Sequence, residues 1–307
     1  MFPVREAQTL APDVVRLVVE APRVARYQHP GQFVIVRVRE GGERIPLTIA
    51  GADAEAGTIT LIIQAVGLTT RLLCALQPGQ AILDVTGPLG APSEVGYEGR
   101  VAVVAGGVGS AIAYPRAAAL ARAGNELVTI LGARTADLLT LEDELASVSA
   151  SLRVVTDDGS RGRRGLVTDV LADDVEAAAA GIAPLDLVLT AGPVPMMGAV
   201  ADVTRPHGIP TVASLNPLMV DGTGMCGGCR VQVAGATAFA CVDGPEFDAH
   251  QVDFALLHRR NQAYRDQERA AAEAAQAAAE AAQAEAEADD GCAATQPQPR
   301  PTLREAR

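Results

Sequence analysis

The stretch "DGTGMCGGC" runs from Asp221 to Cys229 and holds Cys226 and Cys229 at C-x2-C spacing; Cys241 follows after 11 intervening residues. Thiolates at such spacing grip a soft metal centre, and a four-coordinate centre needs one more donor. Plant-type [2Fe–2S] clusters use C-x4-C-x2-C with a further cysteine downstream. Laid on this chain, the first position of that pattern falls on Asp221, where a carboxylate supplies an anionic oxygen in place of a thiolate. Gly222, Gly224, Gly227 and Gly228 let the backbone wrap closely and turn N–H groups toward sulfur. Two other readings stand beside this one. Asp221 also begins an Asp-Gly turn, a common job for that pair. Cys226, Cys229, Cys241 and His250 make a zinc donor set, although zinc sites more often pair two C-x2-C units. Cys74 falls in a helical apolar pattern and reads as a core residue, and Cys292 lies far down the chain in its tail.

A second kind of chemistry is suggested by glycine turns. "AGGVGS" (105–110) follows an apolar run and precedes an Ala-rich helix. Gly106, Gly107 and Gly109 there let a diphosphate approach the backbone and the helix N-terminus. The motif is not G-x-G-x-x-G, and alone it is equally a tight strand–helix turn. "AGPVPMM" (191–197) sets Gly192 and Pro193 at the end of a later strand. Two such turns at strand C-termini of one parallel sheet define a crevice. Met196 and Met197 serve equally well as helix core. Arg134 ends "VTILGAR", where a guanidinium meets a 2′-phosphate or simply stands in a solvated loop; NAD and NADP both stay open.

Nearer the N-terminus, "RIPLTI" (44–49) places Arg44 and Thr48 four apart on a strand. That offers a cation for a diphosphate and a hydroxyl for a flavin edge. "VGLTTRLL" (66–73) brings Gly67, Thr69 and Thr70 to a helix start, a second anion site. The plain alternatives are an edge-strand arginine and a threonine N-cap.

These residues need a scaffold, and 307 residues suggest two or three domains. Apolar residues make up 49% and aromatic ones 3%, so the cores are aliphatic. All 25 basic residues are arginine, which excludes a P-loop lysine and a lysine Schiff base. A net charge of −12 argues against nucleic acid and against anionic membrane surfaces. No signal peptide is apparent, and the longest uncharged stretch, between Arg100 and Arg116, is too short to span a bilayer. The chain reads as cytoplasmic, and five cysteines there point to metal or redox use.

Residues 1–96 carry short β-branched runs at 13–21, 32–38, 44–50, 58–66 and 81–87, with a helix at 69–76, the pattern of a sandwich or small barrel. Residues 97–215 alternate apolar strands with helices, the pattern of a doubly wound parallel sheet covered on both faces. Residues 216–260 hold the cysteines and are too few for a core of their own. Residues 261–307 are Ala/Glu/Gln-rich and then Pro-rich, a solvated, fraying helix followed by disorder.

The order "RIPLTI", "GLTTRLL", "AGGVGSAIAYP", "TDDGS" with "GLVTDVL", "AGPVPMM", "DGTGMCGGCRV" and "FACVDGPEFDAHQVDF" resembles the ferredoxin-NADP reductase superfamily. More narrowly it is similar to the small subunits of NADH-dependent ferredoxin:NADP oxidoreductases, also described as sulfide dehydrogenase small subunits. These are related to the electron-transfer subunits of type B dihydroorotate dehydrogenases. The resemblance covers about residues 1–258. It implies a multidomain β plus α/β fold: an FAD-binding β-barrel, an NAD(P) domain and a C-terminal [2Fe–2S] segment. It assigns Arg44, Pro46, Leu47 and Thr48 to the isoalloxazine side of FAD and Gly67, Thr69 and Thr70 to its diphosphate. It assigns Gly106, Gly107 and Gly109 to the nucleotide, and Asp221, Cys226, Cys229 and Cys241 to the cluster. Three cysteines plus an aspartate favour the ferredoxin:NADP branch, since the dihydroorotate branch resembles a four-cysteine family. The resemblance further implies a larger flavin and iron–sulfur subunit that binds NADPH, in a heterodimer, and ferredoxin. Residues after 260 depart from the family pattern. Electrons would pass from NAD(P)H through FAD and the cluster, with no catalytic acid–base set required. The alternatives are a dihydroorotate dehydrogenase subunit, a sulfide or polysulfide reductase and, from another class, a zinc-containing nucleotide sensor.

Overall fold

The computed structural model describes residues 1–271, 273 and 274. Met1–Ala263 form one compact unit. The disordered tail expected toward the C-terminus, and Cys292 within it, lie outside the described residues.

The N-terminal third folds as eight antiparallel strands: β1 (Phe2–Ala11), β2 (Val14–Glu20), β3 (Phe33–Arg37), β4 (Ile45–Thr48), β5 (Gly51–Asp53), β6 (Thr58–Gln64), β7 (Ala81–Ile82) and β8 (Asp84–Leu89). Helices α1 (Pro22–Tyr27) and α2 (Leu68–Cys74) interrupt them. The strands form two sheets, ordered β5-β6-β2-β1-β7 and β4-β3-β8. β2 and β6 pair without a break from Val14↔Gln64 to Glu20↔Thr58. Their alternation turns Leu17, Val19, Leu61 and Ile63 into the core shared with Val34, Val36 and Leu73. Cys74 is half-buried against this core, and burial pushes its thiol up. The long strand β1 is not foreshadowed by the sequence. Only Val4 and Ala11 of it are buried, and its pairing with β2 carries two register shifts, so its pattern does not alternate.

The middle of the chain alternates β9 (Arg100–Gly106), α3 (Gly109–Arg122), β10 (Glu126–Ala133), α4 (Glu142–Val148), β11 (Ser151–Thr156), β12 (Arg163–Arg164), α5 (Val167–Ala179), β13 (Leu187–Ala191), α6 (Val194–Thr204) and β14 (Thr211–Ser214). Successive residues of β9 point to opposite faces. Val101, Val103 and Ala105 enter one helix-covered core, while Ala102 and Val104 enter the other. Sheet order is β12-β11-β10-β9-β13-β14-β17, where β17 (Glu246–Asp248) is an antiparallel edge strand on an otherwise parallel sheet. The chain order reverses at β9, so the topological switch point lies between β9 and β13.

The last segment adds a hairpin, β15 (Arg230–Val233) and β16 (Ala236–Phe239), then β17 and α7 (Phe254–Asn261). Its buried residues Cys229, Val231 and Cys241 share one core with Phe33 and Ile35 of β3 and with Val194 and Met197 of α6. A buried ion pair closes this junction. Arg116 Nη1 of α3 donates to Glu246 Oε2 at 2.7 Å, and Ser93 Oγ donates to the other carboxylate oxygen at 2.9 Å. Burial nevertheless holds the Glu246 carboxyl above its ordinary range, against the lowering effect of Arg116. Among the described residues no helix is long and apolar enough to cross a membrane.

Candidate functional site

The C-terminal ends of β9 and β13 open onto a cavity of about 680 Å³. Gly106, Gly107, Gly109, Arg134, Gly192 and Pro193 all line it, so turns separated by more than eighty residues meet at the switch point. The reason for glycine is steric. A Cβ on Gly109 would sit 2.2 Å from the Ala191 carbonyl oxygen, and one on Gly106 would sit 2.4 Å from Met196 Sδ. The two turns pack backbone against backbone, and the N-terminus of α3 follows the first of them. The methionines divide: Met197 is core, whereas Met196 lines the cavity.

Several lining residues were not anticipated from sequence. Asp157 directly follows β11, and the strand-end rule that picked out Gly106 and Gly192 applies there too. Gln64 from the barrel and Asn216 after β14 carry no such signal, because packing of distant segments brings them in.

The flavin-side candidates lie outside this cavity, on the barrel. Pro46, Leu47 and Thr48 pair with Ile35, Val34 and Phe33, on an edge strand whose residues are all half-buried. Arg44, just before that strand, donates from Nε to the Val220 carbonyl at 2.9 Å. Among the described residues its terminal nitrogens make no hydrogen bond or ion pair. A free guanidinium fork beside a half-covered strand fits an anionic, planar cofactor. At the start of α2 both hydroxyls are engaged locally. Thr70 Oγ1 accepts from Gly67 N at 2.9 Å, and Thr69 Oγ1 donates to Glu43 Oε2 at 2.5 Å. What remains there for an anion is the set of first-turn N–H groups.

The thiol cluster falls into two pairs. Cys229 and Cys241 are buried with their sulfurs 3.2 Å apart. Asp221 and the exposed Cys226 share one loop, in which Asp221 Oδ2 accepts the Cys226 N–H at 2.7 Å and Oδ1 the Thr223 N–H at 2.9 Å. Asp221 thus performs the turn-forming job, and each oxygen keeps a lone pair. The N–H of Thr223, chiefly, holds its carboxyl below the usual range. Burial, together with the adjacent Cys229, pushes the Cys241 thiol up to about 12. A bound cation reverses that penalty, since coordination deprotonates a thiol. Three sulfurs and one anionic oxygen, set as two pairs, suit a binuclear iron centre with two protein donors per iron. His250, weighed as a zinc ligand, turns elsewhere: its Nε2 bonds Thr204 Oγ1 at 2.8 Å.

The chain is similar to known proteins over most of its length. Residues 216–253 match the iron–sulfur cluster binding domain of dihydroorotate dehydrogenase B. The chain is 46% identical to the dihydroorotate dehydrogenase B (NAD(+)) electron transfer subunit homolog of Thermotoga maritima, over 86% of this chain and 92% of that protein. It is 35% identical to the electron transfer subunit from Bacillus caldolyticus, over 81% of this chain and 96% of that protein. The solved structure of the NADH-dependent reduced ferredoxin-NADP oxidoreductase superposes with a TM-score of 0.82 at 44% identity, covering 88% of this chain and 95% of that one.

Proposed function

The chain belongs to the family of dihydroorotate dehydrogenase B electron transfer subunits, and on that premise we propose that it is the NAD(P)H-oxidising, electron-delivering subunit of a flavin and iron–sulfur oxidoreductase. FAD and the [2Fe–2S] cluster, when bound, supply the change from paired to single electrons. The chain's own residues bind, orient and shield. Gly106, Gly107, Gly109, Gly192 and Pro193 seat the dinucleotide against closely packed backbone at the start of α3, and Arg134 meets its ribose end. Arg44 neutralises the flavin diphosphate, Pro46, Leu47 and Thr48 border the isoalloxazine, and Gly67, Thr69 and Thr70 present the N–H groups of α2. Asp221, Cys226, Cys229 and Cys241 hold the iron. Residues 1–96, 97–215 and 216–260 are the flavin, nucleotide and cluster parts in this reading.

The observation that carries it is the core around Cys229 and Cys241, which is continuous with β3 of the barrel and α6 beside the nucleotide cavity. A flavin held at β4 and a cluster held at these cysteines would be linked by packed protein and not by water. The acidic composition fits a cytoplasmic protein. The partner is a larger NADPH-binding subunit with ferredoxin beyond it, a reading supported by Asp221 at the fourth ligand position and by the likeness to the ferredoxin-NADP oxidoreductase structure.

The test is the visible spectrum, iron and flavin content of the purified protein, with anaerobic titration by NADH and by NADPH. Flavin and iron–sulfur bands that bleach on titration are expected. Asp221→Cys is expected to keep a cluster of lower potential, because a thiolate donates more electron density. A colourless protein holding zinc would overturn the proposal.

A further inference from the structure

The loop from Val220 to Cys226 belongs to no helix or strand, yet it carries the one oxygen donor of the cluster set. Its anchors lie on the barrel. Arg44 Nε reaches across to the Val220 carbonyl at 2.9 Å, one residue before Asp221. Gly222 is buried, and a Cβ there would sit 2.6 Å from Leu89 Cδ1 and 3.0 Å from Ile35 Cγ1. The loop is therefore seated directly on β3 and β8. From that seat Asp221 turns its two oxygens onto the N–H groups of Thr223 and Cys226. The chain entering Arg44 is itself fixed, since Glu43 accepts the hydroxyl of Thr69 at the start of α2. Residues 43 and 44 thus join α2 to the ligand loop, with two nitrogens of the guanidinium left over.

We propose that Arg44 is a positioning residue for the ligand loop: its Nε–H holds the Val220 carbonyl and so sets Asp221, while its terminal nitrogens take flavin phosphate oxygens, coupling flavin binding to cluster coordination through one side chain. The proposal rests on the cofactor reading above. Guanidinium is suited to the task because its donors diverge in a fixed plane, whereas an ammonium is a single point charge. A lysine keeps charge for the phosphates but cannot hold both partners in fixed geometry.

The experiment compares the EPR g-values and midpoint potential of the chemically reduced cluster in four samples: wild type, wild type stripped of flavin, Arg44→Lys and Arg44→Ala, the variants saturated with added FAD. Stripping flavin from the wild type is expected to shift the cluster signal. Both variants are expected to show a shifted signal even with FAD bound, and Arg44→Ala to weaken FAD about 10- to 100-fold, the usual effect of losing a charge-assisted contact. Gly222→Ala displaces the same loop without touching Arg44, and is expected to shift the signal with flavin content unchanged. Wild-type g-values and potential in FAD-saturated Arg44→Ala and Arg44→Lys would overturn the coupling and leave Arg44 a diphosphate ligand alone. Wild-type protein without iron would overturn the cofactor reading itself, a distinguishable failure.

Discussion

The nucleotide cavity and the thiol loop are built by opposite means. The cavity is made of backbone and of missing side chains: Gly106, Gly109 and Gly192 at the ends of rigid parallel strands, with two fully covered cores behind them. The loop is made of side chains, Asp221 and three cysteines, on irregular chain whose position is borrowed from β3, α6 and β17. A site of the first kind is vulnerable to added atoms. One of the second kind is vulnerable to lost donors and to loosened neighbours. Perturbing each region separately tests whether that division holds.

The largest effect is expected at the buried thiol pair. Cys241→Ser removes a sulfur of the proposed ligand set and places a hydroxyl in an apolar core shared by three parts of the chain. Iron content and the iron–sulfur absorption should vanish, while nucleotide affinity measured by calorimetry stays within about twofold, a surface-mutation scale of change. Loss of nucleotide binding in the same variant would show that the two regions do not fail independently.

Next in size is the ion pair between α3 and β17. Arg116→Met leaves the Glu246 carboxylate without its charge partner, and breaking a buried pair in this way costs about 3–5 kcal/mol. Chemical denaturation should read that loss. The carboxyl of Glu246 is raised in the folded protein, so its contribution to stability is present below the ordinary carboxylate range and is lost as pH rises through the folded value. Glu246→Gln should flatten this fall in denaturation series at several pH values.

Adding one methyl group at the cavity comes third. The Cβ of Gly109→Ala would overlap the Ala191 carbonyl, at 2.2 Å, and force the two turns apart. Overpacking of this kind costs about 1–3 kcal/mol, which corresponds to a nucleotide Kd raised roughly tenfold. Cluster absorption should be unchanged. Altered iron content would mean that the strain crosses α6 into the shared core.

The smallest effect is expected from removing residues 265–307. Their Ala/Glu/Gln-rich and Pro-rich composition offers little apolar surface to offset ordering. Iron, flavin and NAD(P)H:dye turnover of the shortened chain should equal those of the full chain. Loss of iron would make Cys292 a ligand and remove Asp221 from the set.

Much of this was written locally. The strand–helix alternation expected over 97–215 is one such case: α5, from Val167 to Ala179, buries Val167, Val170, Leu171 and Val175 at helical spacing. By contrast α4 begins only at Glu142, after a 3-10 turn at Ala136–Leu138 and a left-handed Leu141 (φ 57°) that is buried beside the barrel. No local pattern encodes that tertiary constraint. The cluster-binding segment was legible because coordination demands particular side chains at short spacing, and residues 216–253 match an iron–sulfur cluster binding domain. The glycine turns were legible because strand, turn and helix follow one another in sequence.

From the sequence alone came the candidate donor types, their spacing, the alternation of strands and helices, and an acidic balance that argues against phosphate backbones as partners. Each is a property of neighbouring residues or of the sum of charges. The tertiary structure decided which of those pieces meet. It brought Gln64 and Asn216 into the cavity, laid β17 on the edge of the nucleotide sheet, and set Arg44 against Val220 across 176 residues. Contacts of that kind arise from how separate faces pack, and packing depends on the whole set of shapes around one core.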